Sequence, residues 1–191
     1  MPDDAKLLDA LRTRSPAAFQ ELFDLYSDRI FRLAVSLVAD EMEAEEIVQE
    51  VFVRFFEKID QFEGRSNIGT WLYRAAHNAS IDILRTRKKA QTSVEIDAQE
   101  IELPMPANFS AWREVPDDAF DQNELKTQLN QAMNKMPKTL SSVFLMRDIE
   151  EYSTQQTAEI LNISPGAVKV RLHRARLLLR EYLAQYFSET V

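Results

Sequence analysis

Lysine, arginine and histidine are concentrated in residues 168–176, which read VKVRLHRAR. At about 100° per residue, a helix here places Val168, Leu172 and Ala175 on one buried stripe. Basic side chains on the opposite face bind guanine edges or phosphates, and a valine there meets a thymine methyl or a sugar. Arg171 and Arg176, at the edges of the stripe, are expected to contact phosphates. The candidate DNA-contacting residues are Ser164, Gly166, Lys169, Val170, Arg171, His173, Arg174 and Arg176.

The alternative interpretation of this segment is a solvated basic helix within a bundle. The total charge of the chain, −8, would by itself argue against nucleic acid. However, residues 65–90 carry six basic and one acidic side chain, and residues 125–191 carry nine basic and six acidic ones. Binding depends on where the basic faces lie, so this segmentation indicates two DNA-facing elements.

Residue types that are rare or missing in the chain exclude several kinds of site. There is no cysteine, so a disulfide framework, a thiolate metal site and a cysteine nucleophile are excluded. The two histidines, His77 and His173, are far apart in sequence, and three glycines cannot build a glycine-rich phosphate loop. No acid, base or nucleophile with a positioned partner supports an enzyme. We therefore expect no catalysis, no metal, no cofactor and no small-molecule substrate.

The sequence also indicates where the chain works. Its most apolar stretch, residues 30–39, is ten residues long and contains Arg32, whereas a membrane span needs roughly 20 apolar residues. The N-terminus begins with Pro2, Asp3 and Asp4, unlike a secretory signal. We expect a soluble, cytoplasmic protein.

Hydrophobic periodicity predicts an all-α fold with two small helical domains. Ser15 and Pro16 begin a helix that runs to about Val38, and further helices are predicted over 43–59 and 71–87, with a loop over 61–70 between them. Residues 91–124 show no period, are rich in acids and proline, and exceed an ordinary loop. We therefore predict domains at 1–90 and 125–191 that are joined by a flexible acidic linker.

The second domain has the signature of a helix-turn-helix. Helices are predicted over 125–136 and from Pro137 onward. Ser153 stands three residues before Gln156, the spacing of a capping box, and begins a short helix. After a three-residue turn, Ser164 and Pro165 begin a long helix that runs to about Tyr186. Two helices joined in this way, the second of them basic, are typical of DNA-binding domains.

In this order, the elements resemble an extracytoplasmic-function (ECF, group IV) RNA polymerase sigma factor. The resemblance rests on EAEEIVQEVFVR at 43–54, on FEGRSNIGTWLYRAAHN at 62–78 and on residues 140–176 with their helix-turn-helix. It implies that 1–90 is sigma region 2, which docks on the polymerase clamp and opens the minus-ten element. It also implies that 125–191 is sigma region 4, which reads the minus-thirty-five element.

The resemblance implies roles for two sets of residues in region 2. Each of these roles has an alternative. The acidic helix could be an ordinary solvated surface, Trp71 could pack in the core, and His77 could be a partly buried neutral histidine. Trp71 and Tyr73 would stack on bases, and Asn67 would meet a flipped base. The polymerase-binding candidates are Glu43, Glu46, Gln49, Glu50 and Arg54. The minus-ten candidates are Phe62, Arg65, Ser66, Asn67, Trp71, Tyr73, Arg74, His77, Asn78, Arg85 and Lys88.

The implied partners are bacterial core RNA polymerase, promoter DNA and an anti-sigma factor, which in this family is often membrane-anchored. The competing hypothesis is a free-standing helix-turn-helix transcription regulator with a helical N-terminal domain, which would bind its operator as a dimer. The basic, aromatic segment around Trp71 counts against it, since a sensor domain has no use for such a surface.

Overall fold

The computed structural model describes residues 4–62, 64, 67–91 and 122–190. All regular secondary structure in these residues is helical, which confirms the predicted all-α class. The predicted linker falls mostly on 92–121, outside the described residues. The α-helices are α1 (Asp4–Arg12), α2 (Pro16–Val38), α3 (Glu41–Lys58), α4 (Ile68–Gln91), α5 (Gln122–Lys135), α6 (Lys138–Phe144), α7 (Thr154–Leu161) and α8 (Pro165–Thr190).

Helices α2 to α4 form the core of the first half. Ser15 caps α2 through its side chain, and Pro16 takes the first helical position, as predicted. The chain turns through left-handed Ala39, and Asp40 caps α3 by accepting from the Glu43 N–H. Apolar side chains on the inner faces of these helices are buried, among them Ile30 of α2 and Phe55 of α3.

Helix α1 was not predicted from the sequence, although Leu7 and Leu11 bury its inner face. It holds the segment that leads to α4. The Arg12 guanidinium donates to the Phe62 carbonyl at 2.8 Å, and just after the helix Arg14 pairs with Asp60 at 3.0 Å.

Helices α5 to α8 form the second half. The capping box at α7 is present, with Ser153 and Gln156 bonded reciprocally. Asn162 turns left-handed after α7, and α8 begins at Pro165, so the helix-turn-helix is confirmed. Between α6 and α7 the chain departs from the sequence expectation, because Leu145–Ile149 forms a five-residue π-helical turn.

The two halves, expected as separate domains, pack against each other in this structure. Helix α2 contacts α6, and α4 contacts α7. The Lys138 ammonium donates to the Ser36 carbonyl across this interface, and burial lowers the pKa of Lys138. Throughout the described ranges, no helix combines the length and apolarity needed to cross a membrane.

Candidate nucleic-acid and polymerase interfaces

The exposed face of α8 has the composition predicted for DNA contact. Val168, Leu172 and Ala175 are buried against the second half, as the helical stripe predicts. Exposed on the other side are Gly166, Lys169, Val170 and His173, while Arg171 and Arg174 are half-buried. Ser164 is exposed, and its hydroxyl oxygen caps α8 by accepting from the Ala167 N–H at 3.1 Å.

Arg176 is exposed on α8 and is bound to a carboxylate of the same half of the molecule. Its guanidinium makes a bidentate pair with the Asp148 carboxylate, at 2.8 and 2.6 Å. This hydrogen bonding raises the pKa of Arg176. The contact of Arg176 with a phosphate stays a prediction, because its guanidinium has five N–H donors and only two of them are bound to Asp148.

The loop before α4 is built around a small aromatic cluster. The rings of Phe62 and Trp71 both pack on the ring of Phe55. The Phe55 centroid lies 5.6 Å from that of Phe62 and 5.2 Å from that of Trp71. Trp71 is half-buried, which agrees with the core-packing alternative. Two of the predicted loop residues, Arg65 and Ser66, lie outside the described residues.

Asn67 performs a structural task that sequence reasoning missed. Its side-chain oxygen accepts from the Thr70 N–H at 2.6 Å, and its carbonyl accepts from the Trp71 N–H at 3.2 Å. Asn67 thus occupies the N-cap of α4. The signal was present in the sequence, because asparagine immediately before an amphipathic segment is a preferred capping residue.

Tyr73 and Arg74 both contact the second half. Tyr73 is fully buried, donates its hydroxyl hydrogen to Glu150 at 2.7 Å and meets the Tyr152 ring edge-on. Burial, and then the bond to Glu150, raise the pKa of Tyr73. Arg74 pairs with Glu159 of α7 at 2.8 Å. Tyr73 is therefore not available to stack on a base while the halves are packed, whereas the phosphate contact of Arg74, whose side chain is 43% exposed, stays a prediction.

The remaining candidates of α4 continue along the helix. His77 is half-buried, and this burial lowers its pKa, so the neutral-histidine alternative describes it well. Asn78 and Lys88 are exposed. Arg85 is also exposed and lies 3.5 Å from Asp82, a pair that contributes little to stability at the surface.

The acidic helix α3 presents most of its predicted docking residues to solvent. Glu46, Gln49, Glu50 and Arg54 are exposed, and Glu50 pairs with Arg54 along the helix. Glu43 differs, because it pairs at 2.6 Å with Arg87, which also donates to the Val38 carbonyl. Glu43 therefore ties α3 to α4 and is less available to a partner.

Two hydrophobic residues on the same face were missed. Met42 is 76% exposed and Val53 is 51% exposed. At about 100° per residue, Met42, Glu46, Gln49 and Val53 lie within about 60° of one another. Their spacing in the sequence contained this signal. All four side chains are exposed, so the stripe is accessible to a partner.

Comparison with known families and proteins agrees with this geometry. The model of Sigma-70 region 2 matches residues 22–90, and that of Sigma-70, region 4, matches residues 126–179. The chain is 36% identical to the ECF RNA polymerase sigma factor SigW of Bacillus subtilis, over 87% of this chain and 89% of the relative. It is 28% identical to the ECF RNA polymerase sigma-E factor of Escherichia coli K12, over 91% and 90%.

Solved structures share the fold. CnrH, in complex with the cytosolic domain of CnrY, gives a TM-score of 0.65 at 22% identity and covers 94% of this chain and 96% of its own. RpoE of Bartonella quintana, in complex with the anti-sigma factor NepR, gives 0.63 at 24% identity, over 86% and 96%. With both family models matched in order and a relative aligned over nearly its whole length, the chain belongs to the ECF RNA polymerase sigma factors.

Proposed function

We propose that this sigma factor reads the minus-thirty-five element with the solvent-facing side of α8. The observation that carries the proposal is the helix-turn-helix itself. A capped α7 and a left-handed turn at Asn162 present Lys169, Val170 and His173 together on one exposed helix face. A helix inserted in the major groove can use such a face for base edges and for phosphates.

In the same proposal, the loop before α4 and the exposed part of α4 open the minus-ten element. Strand opening requires a base to leave the stack, at a cost of a few kcal/mol, which a pocket and a basic track offset. The Asn67 amide, together with Arg85 and Lys88 on α4, supplies groups of this kind. Tyr73, which is buried, joins this surface only when the halves separate.

The proposed partner of α3 is core RNA polymerase, which would contact the stripe from Met42 to Val53. In the solved structures, CnrH is bound to the cytosolic domain of CnrY, and the sigma factor RpoE is bound to the anti-sigma factor NepR. By analogy we propose an anti-sigma partner for this chain as well. Polymerase and promoter place its action in the cytoplasm, with no catalysis of its own.

The test combines purified core polymerase, the full chain and a library of promoter fragments. We expect a stable complex in a pull-down and run-off transcripts from a discrete set of promoters. A Lys169→Ala, His173→Ala double variant should lose transcription but keep core binding, whereas Glu181→Gln, an exposed change further along α8, should keep both. Tight duplex binding without core, and no core complex, would instead favour a free-standing regulator.

A further inference from the structure

We propose that helix α1 is a positioning element for the opening of the minus-ten element, because it fixes the start of the loop that leads to Asn67. Arg12 is the central positioning residue, and Arg14 supports it. This inference rests on the proposed function, in which the Asn67 amide meets an unstacked base. It assigns a role to residues 4–14, which no prediction from the sequence connected with DNA.

Helix α1 lies against α2 and against the short 3₁₀ turn Ile59–Gln61. Leu7 and Leu11 are 6% and 1% exposed, so the inner face of α1 belongs to the hydrophobic core. This packing makes the helix a firm support, and its C-terminal end reaches the residue that follows the turn. Contacts from this end of α1 to the loop are therefore held in place by the core.

Phe62, the residue that follows the turn, is held at three points. Its N–H donates to the Ile59 carbonyl at 3.1 Å, and its ring packs on the Phe55 ring. Its carbonyl accepts from the Arg12 guanidinium at 2.8 Å. The first two contacts join Phe62 to the preceding chain, whereas Arg12 holds the peptide unit that continues into the loop. Arg12 therefore fixes the direction in which the chain leaves Phe62.

Two further contacts attach the same segment to α1 and to the residues after it. Arg14 pairs with Asp60 of the turn at 3.0 Å, and its guanidinium lies 4.6 Å from the centroid of the Phe56 ring of α3. Leu8 lies beside Gly64, where an added Cβ would stand 3.9 Å from a leucine methyl group. Gly64 has a φ of 69°, so the chain turns in the left-handed region there. The N-terminal segment thus contacts the loop on both sides of Phe62.

The other end of the loop is fixed by the N-cap of α4. The Asn67 side-chain oxygen accepts from the Thr70 N–H at 2.6 Å, and Asn67 follows Phe62 by only five positions. A loop this short has few conformations while both ends are fixed, and releasing one end increases its conformational entropy. Arg12 therefore supplies the preorganisation of the base-binding site at the end that Asn67 does not hold.

The contacts of Arg12 and Arg14 suit positioning more than stability. Their side chains are 41% and 46% exposed, and that of Asp60 is 64% exposed. Ion pairs at such a surface contribute little to the free energy of unfolding. Their loss leaves the core around Leu7 and Leu11 intact and frees only the loop. A defect in promoter opening can therefore be separated from unfolding.

The experiment compares two templates with the same promoter sequence, one a full duplex and one whose minus-ten element is already open because its strands do not match there. Both are transcribed by core polymerase with the full chain. Arg12→Met removes the donor to Phe62 but keeps a long side chain. We expect run-off from the duplex to fall roughly tenfold, if about a tenth of the freed loops hold the base-binding arrangement. On the open template, where no base has to be unpaired, the loss should be less than about twofold.

Further variants separate the contact from the charge. Lys58→Met is the matched control, because it removes one exposed positive charge directly before the same turn and should behave as the wild type on both templates. Arg12→Lys keeps a donor for the Phe62 carbonyl and should restore most of the duplex transcription. Arg14→Asp and Asp60→Arg should each reduce it, and their combination should restore part of the loss, since the ion pair re-forms with its charges exchanged.

Three more measurements assign the cause. Under the proposal, Arg12→Met binds core as the wild type does, melts within about 4 °C of it and keeps its salt dependence of promoter binding. A salt slope that falls by about one would mean that Arg12 itself binds a phosphate, and would overturn the positioning role. An equal loss on both templates, or no loss on the duplex, would overturn it too. A wild type that fails to bind core or to transcribe overturns the proposed function, and with it the role of α1.

Discussion

Asn67 shows how one residue can carry both a structural and a functional task. Its oxygen caps α4, while its amide nitrogen is the group proposed to meet a base. Aspartate caps a helix as well as asparagine does but lacks the amide donor. We therefore expect Asn67→Asp to keep wild-type thermal stability and core binding, and to reduce promoter opening measured by permanganate footprinting.

The alanine variant provides the comparison. Asn67→Ala removes cap and amide together, and should cost about 1 kcal/mol of unfolding free energy in addition to the opening defect. If Asn67→Asp opens the promoter normally while Asn67→Ala does not, the residue serves only as a helix cap, and the base contact is wrong.

Gly69 is a second residue whose type is dictated by a close approach. In an open helix, Gly→Ala would stabilise by up to about 1 kcal/mol. Here the added Cβ would lie 2.5 Å from the Tyr152 hydroxyl and 2.9 Å from the Tyr26 ring. We expect Gly69→Ala to lower the unfolding free energy by about 1–3 kcal/mol in denaturant titrations.

Two further variants isolate the cause of this destabilisation. Adding Tyr152→Phe removes the nearest atom and should restore part of the loss. Gly166→Ala, where a Cβ would meet only the Ser164 hydroxyl at 3.8 Å, should not destabilise the chain. A loss of equal size at both glycines would exclude the close approach as the cause.

At the scale of elements, helix α8 carries two arginines with different expected roles. Arg174 lies beside the exposed face, whereas Arg176 is bound to Asp148. Arg174→Ala should reduce run-off from promoters with an intact minus-thirty-five element by roughly tenfold, a loss of about 1–2 kcal/mol, at unchanged stability. Arg176→Ala and Asp148→Asn should instead both lower the free energy of unfolding, because each breaks the same ion pair. Equal transcription defects in Arg174→Ala and Asp148→Asn would contradict this division.

In helix α3, likewise, the exposed stripe is expected to bind polymerase, whereas Glu43 is expected to stabilise the fold. Glu46→Lys with Val53→Ser changes the exposed stripe and should weaken core binding at least tenfold, or about 1.4 kcal/mol, in a titration of labelled protein. Glu43→Gln breaks the contact with Arg87 and should lower thermal stability more than core affinity. If Glu43→Gln lost affinity for core polymerase while its thermal stability stayed unchanged, Glu43 would belong to the docking surface after all.

For the whole molecule, the shared interface predicts cooperative unfolding. Glu150 and the tyrosine pair link the halves, so the wild type should melt in one calorimetric transition with matching calorimetric and van't Hoff enthalpies. Glu150→Gln should split this into two transitions, one for each half. Two transitions already present in the wild type would mean that the interface does not couple the halves.

The elements of this molecule could be predicted from sequence because their signals are local. The stripe of Val168, Leu172 and Ala175 and the capping box at Ser153 depend on spacings of three and four residues. The packing of the halves has no such signal. Glu150 meets Arg29 across 121 positions, and composition marks neither as special among many surface charges. For the same reason, the sequence predicts Tyr73 on DNA although its partner Glu150 lies 77 positions away.

The π-helical turn at Leu145–Ile149 has a consequence for how the chain can evolve. One extra residue in the turn lets Asp148 reach Arg176 in its own half while Glu150 reaches Arg29 in the other. Deleting a single residue there would restore a regular helix and rotate the C-terminal side of the turn by about 100°. Both acids would then be turned away from their arginines at once. Point substitutions can tune either contact separately, but a change of length at this turn disrupts the two together.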